Sequence, residues 1–140
     1  MQHVTIEQRC IGIDVVDSVI KRNIKLFERP GRSFIAGDAT VDDLPEVDVV
    51  LCREVLFYLS FVDIQKLLRN VLSKKRSYLI ATSDRQTTFN SDIPTGDFRL
   101  LNLEAWPLKF LPPDRTINDS AVSPNRIIGM WDANRAGGNR

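Results

Sequence analysis

Two acidic residues stand where short apolar runs end: Asp14 closes IGID, and Asp38 follows SFIAG, with a helix-like segment between them. In sheets built from successive βαβ units, ligands bind at the carboxyl ends of strands, and a carboxylate there accepts hydrogen bonds from ribose hydroxyls. Asp14, followed by Val15, suits a ribose. Asp38 suits the exocyclic amine of adenine, with the Ala39 amide close by to meet a ring nitrogen. Each residue also has a structural reading. Asp14 can cap the following helix, and Asp38 can close an Asx turn that organises the acidic loop VDDLPE.

Cys52 and Arg53 end a further apolar run, VDVVLC, and fall at the same end of the expected sheet. Arg53 could serve a ligand carboxylate or pair with Glu54. Tyr58 suits packing better than substrate contact. Glu54 and Asp92 are conceivable general bases, but neither has a sequence neighbour that singles it out, so no catalytic residue is assigned. His3 is the sole histidine, and Cys10 and Cys52 have no metal-ligand spacing, so no metal site is expected. Both cysteines read as buried free thiols.

The elements that must position these residues follow from periodicity. Cys10–Val16 is a β-branched run, as in a strand covered on both faces. Over Asp17–Phe27 the apolar residues Val19, Ile20, Ile24 and Phe27 recur at helical spacing behind Val16, with Lys21, Arg22 and Lys25 opposite. Pro30-Gly31 ends that helix. Ser33–Gly37 and Val47–Cys52 are two more strands, the latter also apolar enough for burial on both faces. REVLFYL is a short turn. Ser60 and Asp63 mark the start of a helix, and Phe61, Ile64, Leu67, Leu68, Val71 and Leu72 form its stripe. Tyr78–Ala81 is a fourth strand, and Thr116–Asn118 with Arg126–Trp131 suits a terminal antiparallel hairpin.

The alternation predicts an α/β fold, Rossmann-like, with a mostly parallel sheet, flanking helices and that hairpin. Residues 1–132 form one domain. Within it, residues 83–113 are an irregular loop rich in Pro and aromatics, of a length typical of lids and substrate loops. An ordered connection whose aromatics seal the sheet edge accounts for it equally well. Residues 133–140 read as a disordered tail.

The chain has 140 residues and a formal charge of +1, which gives no reason to expect a nucleic-acid partner or an anionic membrane. Lys74, Lys75 and Arg76 are the only compact basic run and suit a solvated helix end. No apolar run is long enough to span a bilayer. MQHVTIEQR has no hydrophobic signal core, so a cytoplasmic location is expected.

In order and spacing, IGIDVVDSVI, FIAGDATVDDLP, VDVVLCREVLFYLSFVDIQKLLRNVL and SYLIATS resemble the class I S-adenosylmethionine-dependent methyltransferases. Asp48, Val50, Val55, Leu56 and Leu59 fill that family's pattern around its fourth strand. TGDFRLLNLEAWPLKFLPP and RIIGMW look like the loop and final strand of one bacterial-type branch. The resemblance spans roughly residues 10–132. It implies S-adenosylmethionine as cofactor, with Asp14, Val15, Asp38 and Ala39 around its adenosine. It also implies Cys52 and Arg53 near its methionine. The methyl acceptor, a small molecule or a protein, is not specified.

One family element has no counterpart in the sequence. The first strand of these enzymes ends in a turn D/E-x-G-x-G whose small residues let the backbone approach the cofactor. Here the only close-set glycines are Gly137 and Gly138. The resemblance thus implies a domain without its first strand, the central one, and truncated at the N-terminus. Residues 2–9 are too short a replacement, direct pairing of the flanking strands is a second outcome, and a fragment is the expectation. As given, the chain is expected to be weak or inactive, with a partner chain able to complete the sheet. The rivals are a non-catalytic interaction module and, further off, an NAD-dependent oxidoreductase, disfavoured because G-x-G-x-x-G is absent.

Overall fold

A computed structural model describes residues 8–72 and 77–133. The expected readings for His3, for the 74–76 basic run and for most of the tail lie outside these residues, as does most of the 2–9 segment. The chain divides into two compact units, 1–43 and 44–140.

The first unit contains β1 (Cys10–Asp14), α1 (Asp17–Phe27) and β2 (Arg32–Ala36). β1 and β2 run parallel in a two-stranded sheet, with Gly12 opposite Phe34 and Asp14 opposite Ala36. Gly12 is required here because a Cβ would come within 2.6 Å of the Phe34 ring. α1 begins and ends where the sequence predicts. Its first turn carries Asp17, paired with Lys21 at 2.7 Å, which raises the Lys21 pKa chiefly through that hydrogen bond. Of its apolar stripe only Ile20 is buried; Val19, Ile24 and Phe27 stay partly exposed.

The second unit contains β3 (Val49–Cys52), a 3-10 turn (Val55–Tyr58), α2 (Phe61–Leu72), β4 (Tyr78–Asp84), β5 (Arg115–Asn118) and β6 (Arg126–Asp132). Its sheet has the order β3-β4-β6-β5. β3 is parallel to β4, and β6 is antiparallel to both β4 and β5. The first sheet is therefore parallel and the second mixed, in place of one mostly parallel sheet, and the predicted hairpin is present. One core face carries Leu79, Ala81 and Trp131, all fully buried. Gly129 gives the Trp131 ring its room, since a Cβ there would meet Cζ3 at 2.7 Å. Phe110 meets that ring edge-on at 5.6 Å, and Trp131 Nε1 donates to the Leu111 carbonyl at 2.7 Å. The predicted stripe of α2 is buried at Ile64, Leu67, Leu68 and Leu72.

The expectation of strands buried on both faces fails for β1 and β3. Every residue of β1 is only half-buried, and Val49 and Leu51 of β3 are exposed. Each strand has a single neighbour, β2 and β4 respectively, so one edge of each is open among the described residues.

Residues 85–114 lack regular elements but are held by burial and hydrogen bonds, as the ordered-connection reading requires. Leu101 and Leu103 are fully buried. Asp84 N donates to the Leu101 carbonyl at 2.8 Å, and Leu103 N to Ser83 Oγ at 3.0 Å. Buried Asn90 donates to the Asn102 and Trp106 carbonyls and accepts from Asn102 N. Arg99 is the main clamp: its guanidinium donates to the carbonyls of Leu56, Phe57, Leu59 and Ser91 at 2.7–3.1 Å. Burial lowers its pKa, partly opposed by the charge of Asp92. Hydrogen bonds from charged groups are worth about 1.5–3 kcal/mol each, and several acceptors would be stranded together. Arg99→Leu is therefore predicted to lose about 3 kcal/mol, read as a lower urea midpoint with an unchanged slope.

Candidate functional site

Within the first unit, Asp14 and Asp38 lie at adjacent carboxyl ends of paired strands. The link is direct, because Gly37 N donates to the Asp14 carbonyl at 3.0 Å. Asp14 Oδ1 accepts from Val16 N at 2.8 Å, an Asx turn that leads the chain into α1. Its second carboxylate oxygen carries no hydrogen bond among the described residues. Val15, next to it, is 67% exposed.

Asp38 is more heavily committed. Its Oδ1 accepts from both Thr40 N and Thr40 Oγ1, at 2.9 and 2.7 Å, and its own amide donates to Asp42 Oδ2 at 2.6 Å. The structural role expected for Asp38 is thus filled, leaving Oδ2 for any further partner. Ala39 follows in the same half-buried turn.

In the second unit, Cys52 ends β3 and is buried. Burial pushes its thiol up to about 12, so it stays protonated and a poor nucleophile. Both cysteines are free thiols; Cys10 is half-buried. Arg53 pairs with Asp119 at 3.5 Å rather than with Glu54. Glu54 sits in the left-handed region at φ 62°, donates its amide to Thr82 Oγ1 at 2.9 Å, and forms an ion pair with buried Arg126. Two charge pairs therefore tie the end of β3 to the ends of β5 and β6. Sequence reasoning missed Asp119 and Arg126 because nothing local marks them; the only available signal is that a hairpin brings residues 118 and 127 into register.

Asp92 is no base. Its Oδ1 accepts from Phe61 N and Ile93 N at 2.8 and 2.9 Å, holding the start of α2. Thr95 Oγ1 accepts from Ser60 N and donates to Asp63 Oδ2, and Ser60 Oγ accepts from Asp63 N. The Thr95 bond holds the Asp63 carboxyl below its usual range, helped by Lys66. Tyr58 is tilted against Phe98 at 5.3 Å, the packing role expected of it. Asp84, a third acidic strand end that sequence reasoning passed over, is buried and accepts from Gln86 N and Thr87 N. Among the described residues no cluster could hold a metal ion, and no helix is long and apolar enough to cross a membrane.

No protein-family model matches the chain, and no curated protein sequence matches it. Solved structures do. Human N-acetylserotonin methyltransferase, crystallised in complex with SAM, matches with a TM-score of 0.64 at 14% identity, over 93% of this chain and 41% of its own. The PH0226 protein of Pyrococcus horikoshii OT3 matches with a TM-score of 0.58 at 14% identity, over 89% of this chain and 71% of its own. The chain thus shares the α/β fold of these structures, and spans 41% of the length of the human enzyme.

The contrast between the two thiols is measurable. In mildly alkaline buffer, iodoacetamide is predicted to label Cys10 at least about 100-fold faster than Cys52, as read by peptide mass spectrometry. Equal rates in the folded protein would contradict the closed environment of Cys52.

Proposed function

We propose that this chain is a methyltransferase domain of the S-adenosylmethionine-dependent class, and that it carries the adenosine-side half of the cofactor site. The observation that supports this most is the pair of acidic strand ends, Asp14 and Asp38, side by side in a fold shared with a SAM-bound enzyme. The adenosine end fits the residues present. Asp14 keeps one oxygen for the ribose hydroxyls beside exposed Val15, and Asp38, with Ala39 next to it in the turn, keeps Oδ2 for the adenine edge.

The methionine end fits less well. Arg53 is engaged with Asp119, Cys52 is buried, and the sequence has no glycine-rich turn to approach the ligand. We therefore propose weak binding by these 140 residues, with a partner strand paired on the open edge of β1 needed for tight binding.

When bound, S-adenosylmethionine supplies an electrophilic methyl on a sulfonium. The protein's part is to hold the acceptor in line, which itself supplies much of the acceleration. Glu54 is the other candidate base, although its carboxylate is engaged by Arg126. That engagement, with Asp92 spent on α2, gives weight to a second reading: a non-catalytic methyltransferase-like module acting through a partner. The acceptor is left unassigned.

Saturation-transfer NMR with S-adenosylhomocysteine tests the cofactor reading. Signal is expected on the adenine and ribose protons, with a dissociation constant of about 1 mM or weaker, near −4 kcal/mol. Asp14→Asn keeps the acceptor for Val16 N but loses the charge, and is expected to weaken binding about tenfold. Absence of transfer to the nucleoside protons, or displacement by NADH at equal concentration, would overturn the cofactor assignment. Micromolar affinity of the chain alone would overturn the weak-binding proposal.

A further inference from the structure

The second unit has an open cleft of about 500 Å³ at the tip of the β5–β6 hairpin, beside the residue that follows β4. Its polar lining comes from Arg85, Thr116, Asn118, Ser120, Asn125 and Arg126, and no carboxylate lines it. Thr116 and Asn118 alternate along β5, so their side chains share one face of the strand. Asn118 Oδ1 accepts from Ser120 N at 2.7 Å, which fixes the amide group and leaves its Nδ2 donors available. Arg85 is exposed, and its nearest anion, Glu104, stands 3.9 Å away, too far for a hydrogen bond. Arg126 is buried at 6% exposure and keeps its Nε without any partner, although its Nη1 is held by Glu54. The nearby acidic residue, Asp119, is drawn to Arg53.

We infer that this cleft binds a small organic molecule through an oxyanion, a carboxylate or a phosphate. The lining carries guanidinium, amide and hydroxyl donors and no carboxylate. Hydroxyls can act either way, so the Arg85 guanidinium, with no counter-ion in hydrogen-bond reach, decides the sign, and arginine is the side chain best matched to planar or tetrahedral oxyanions. The volume falls in the range of small-molecule sites. The acidic neighbours temper the positive charge, so the affinity expected is modest and salt-dependent. This inference stands on the second unit alone and does not need the cofactor reading, although Arg126 connects the cleft to Glu54 at the end of β3.

The test is amide-resolved NMR titration of the full chain with benzoate and, separately, inorganic phosphate, each against sodium chloride at matched ionic strength. Saturable shifts are expected at Arg85, Asn118 and Asn125 with at least one of the two anions and not with chloride; which anion binds tells carboxylate from phosphate. The double variant Arg85→Gln, Thr116→Val removes no hydrogen bond seen in the structure, so it should fold, and is expected to weaken binding at least tenfold. Linear, unsaturable shifts with both anions, or a double variant that binds as well as the parent, would overturn the inference.

Discussion

A strand has two hydrogen-bonding edges, and among the described residues β1 and β3 each use only one. β1 bonds to β2 and β3 to β4, and among the described residues no further strand joins either. Much else follows from this constraint. Strands as apolar as IGID and VVLC would be buried in a closed parallel sheet, yet β1 is half-buried throughout and Val49 and Leu51 are exposed. α1 likewise buries only Ile20 of its stripe. The candidate ligand groups sit beside those edges, with Asp14 at the end of β1 and Cys52 and Arg53 at the end of β3.

The second unit shows what a satisfied sheet looks like in the same chain. β4 has neighbours on both sides and is buried at five of its seven positions, all but Tyr78 and Ile80 near its start. The irregular segment after it is held by buried donors rather than by regular elements: Arg99 takes four carbonyls, and Asn90 and Asn102 secure the neighbouring turns. Fixing that segment in turn fixes the 3-10 turn and the start of α2. Order here comes from side-chain-to-backbone hydrogen bonds across long sequence separations.

Those separations explain what the sequence could and could not reveal. Helix α1 was legible because its period and its Pro-Gly stop are local, and α2 because Ser60 and Asp63 cap it from within one turn. The hairpin was legible from two β-branched runs. By contrast, Arg53–Asp119 and Glu54–Arg126 are pairings 66 and 72 residues apart, and no local pattern selects them over Arg53–Glu54. Asp92 holds the start of α2 from 31 residues away, a role no local pattern marks. Asp38 was legible in both of its readings, and the Thr40 bonds show that the structural one is filled.

The open edges can be observed directly by residue-resolved amide hydrogen exchange. In a parallel pair, alternate residues direct their amides to the same neighbour. Cys10 N bonds toward β2 and the Asp48 carbonyl toward β4, so Ile11, Ile13, Val49 and Leu51 face the open sides. These four amides should exchange much faster than Gly12, Asp14, Val50 and Cys52, which alternate with them. Equal, strong protection of Ile11 and Ile13 alongside Gly12 and Asp14 would mean that the β1 edge is paired in solution, contradicting the open-edged sheet.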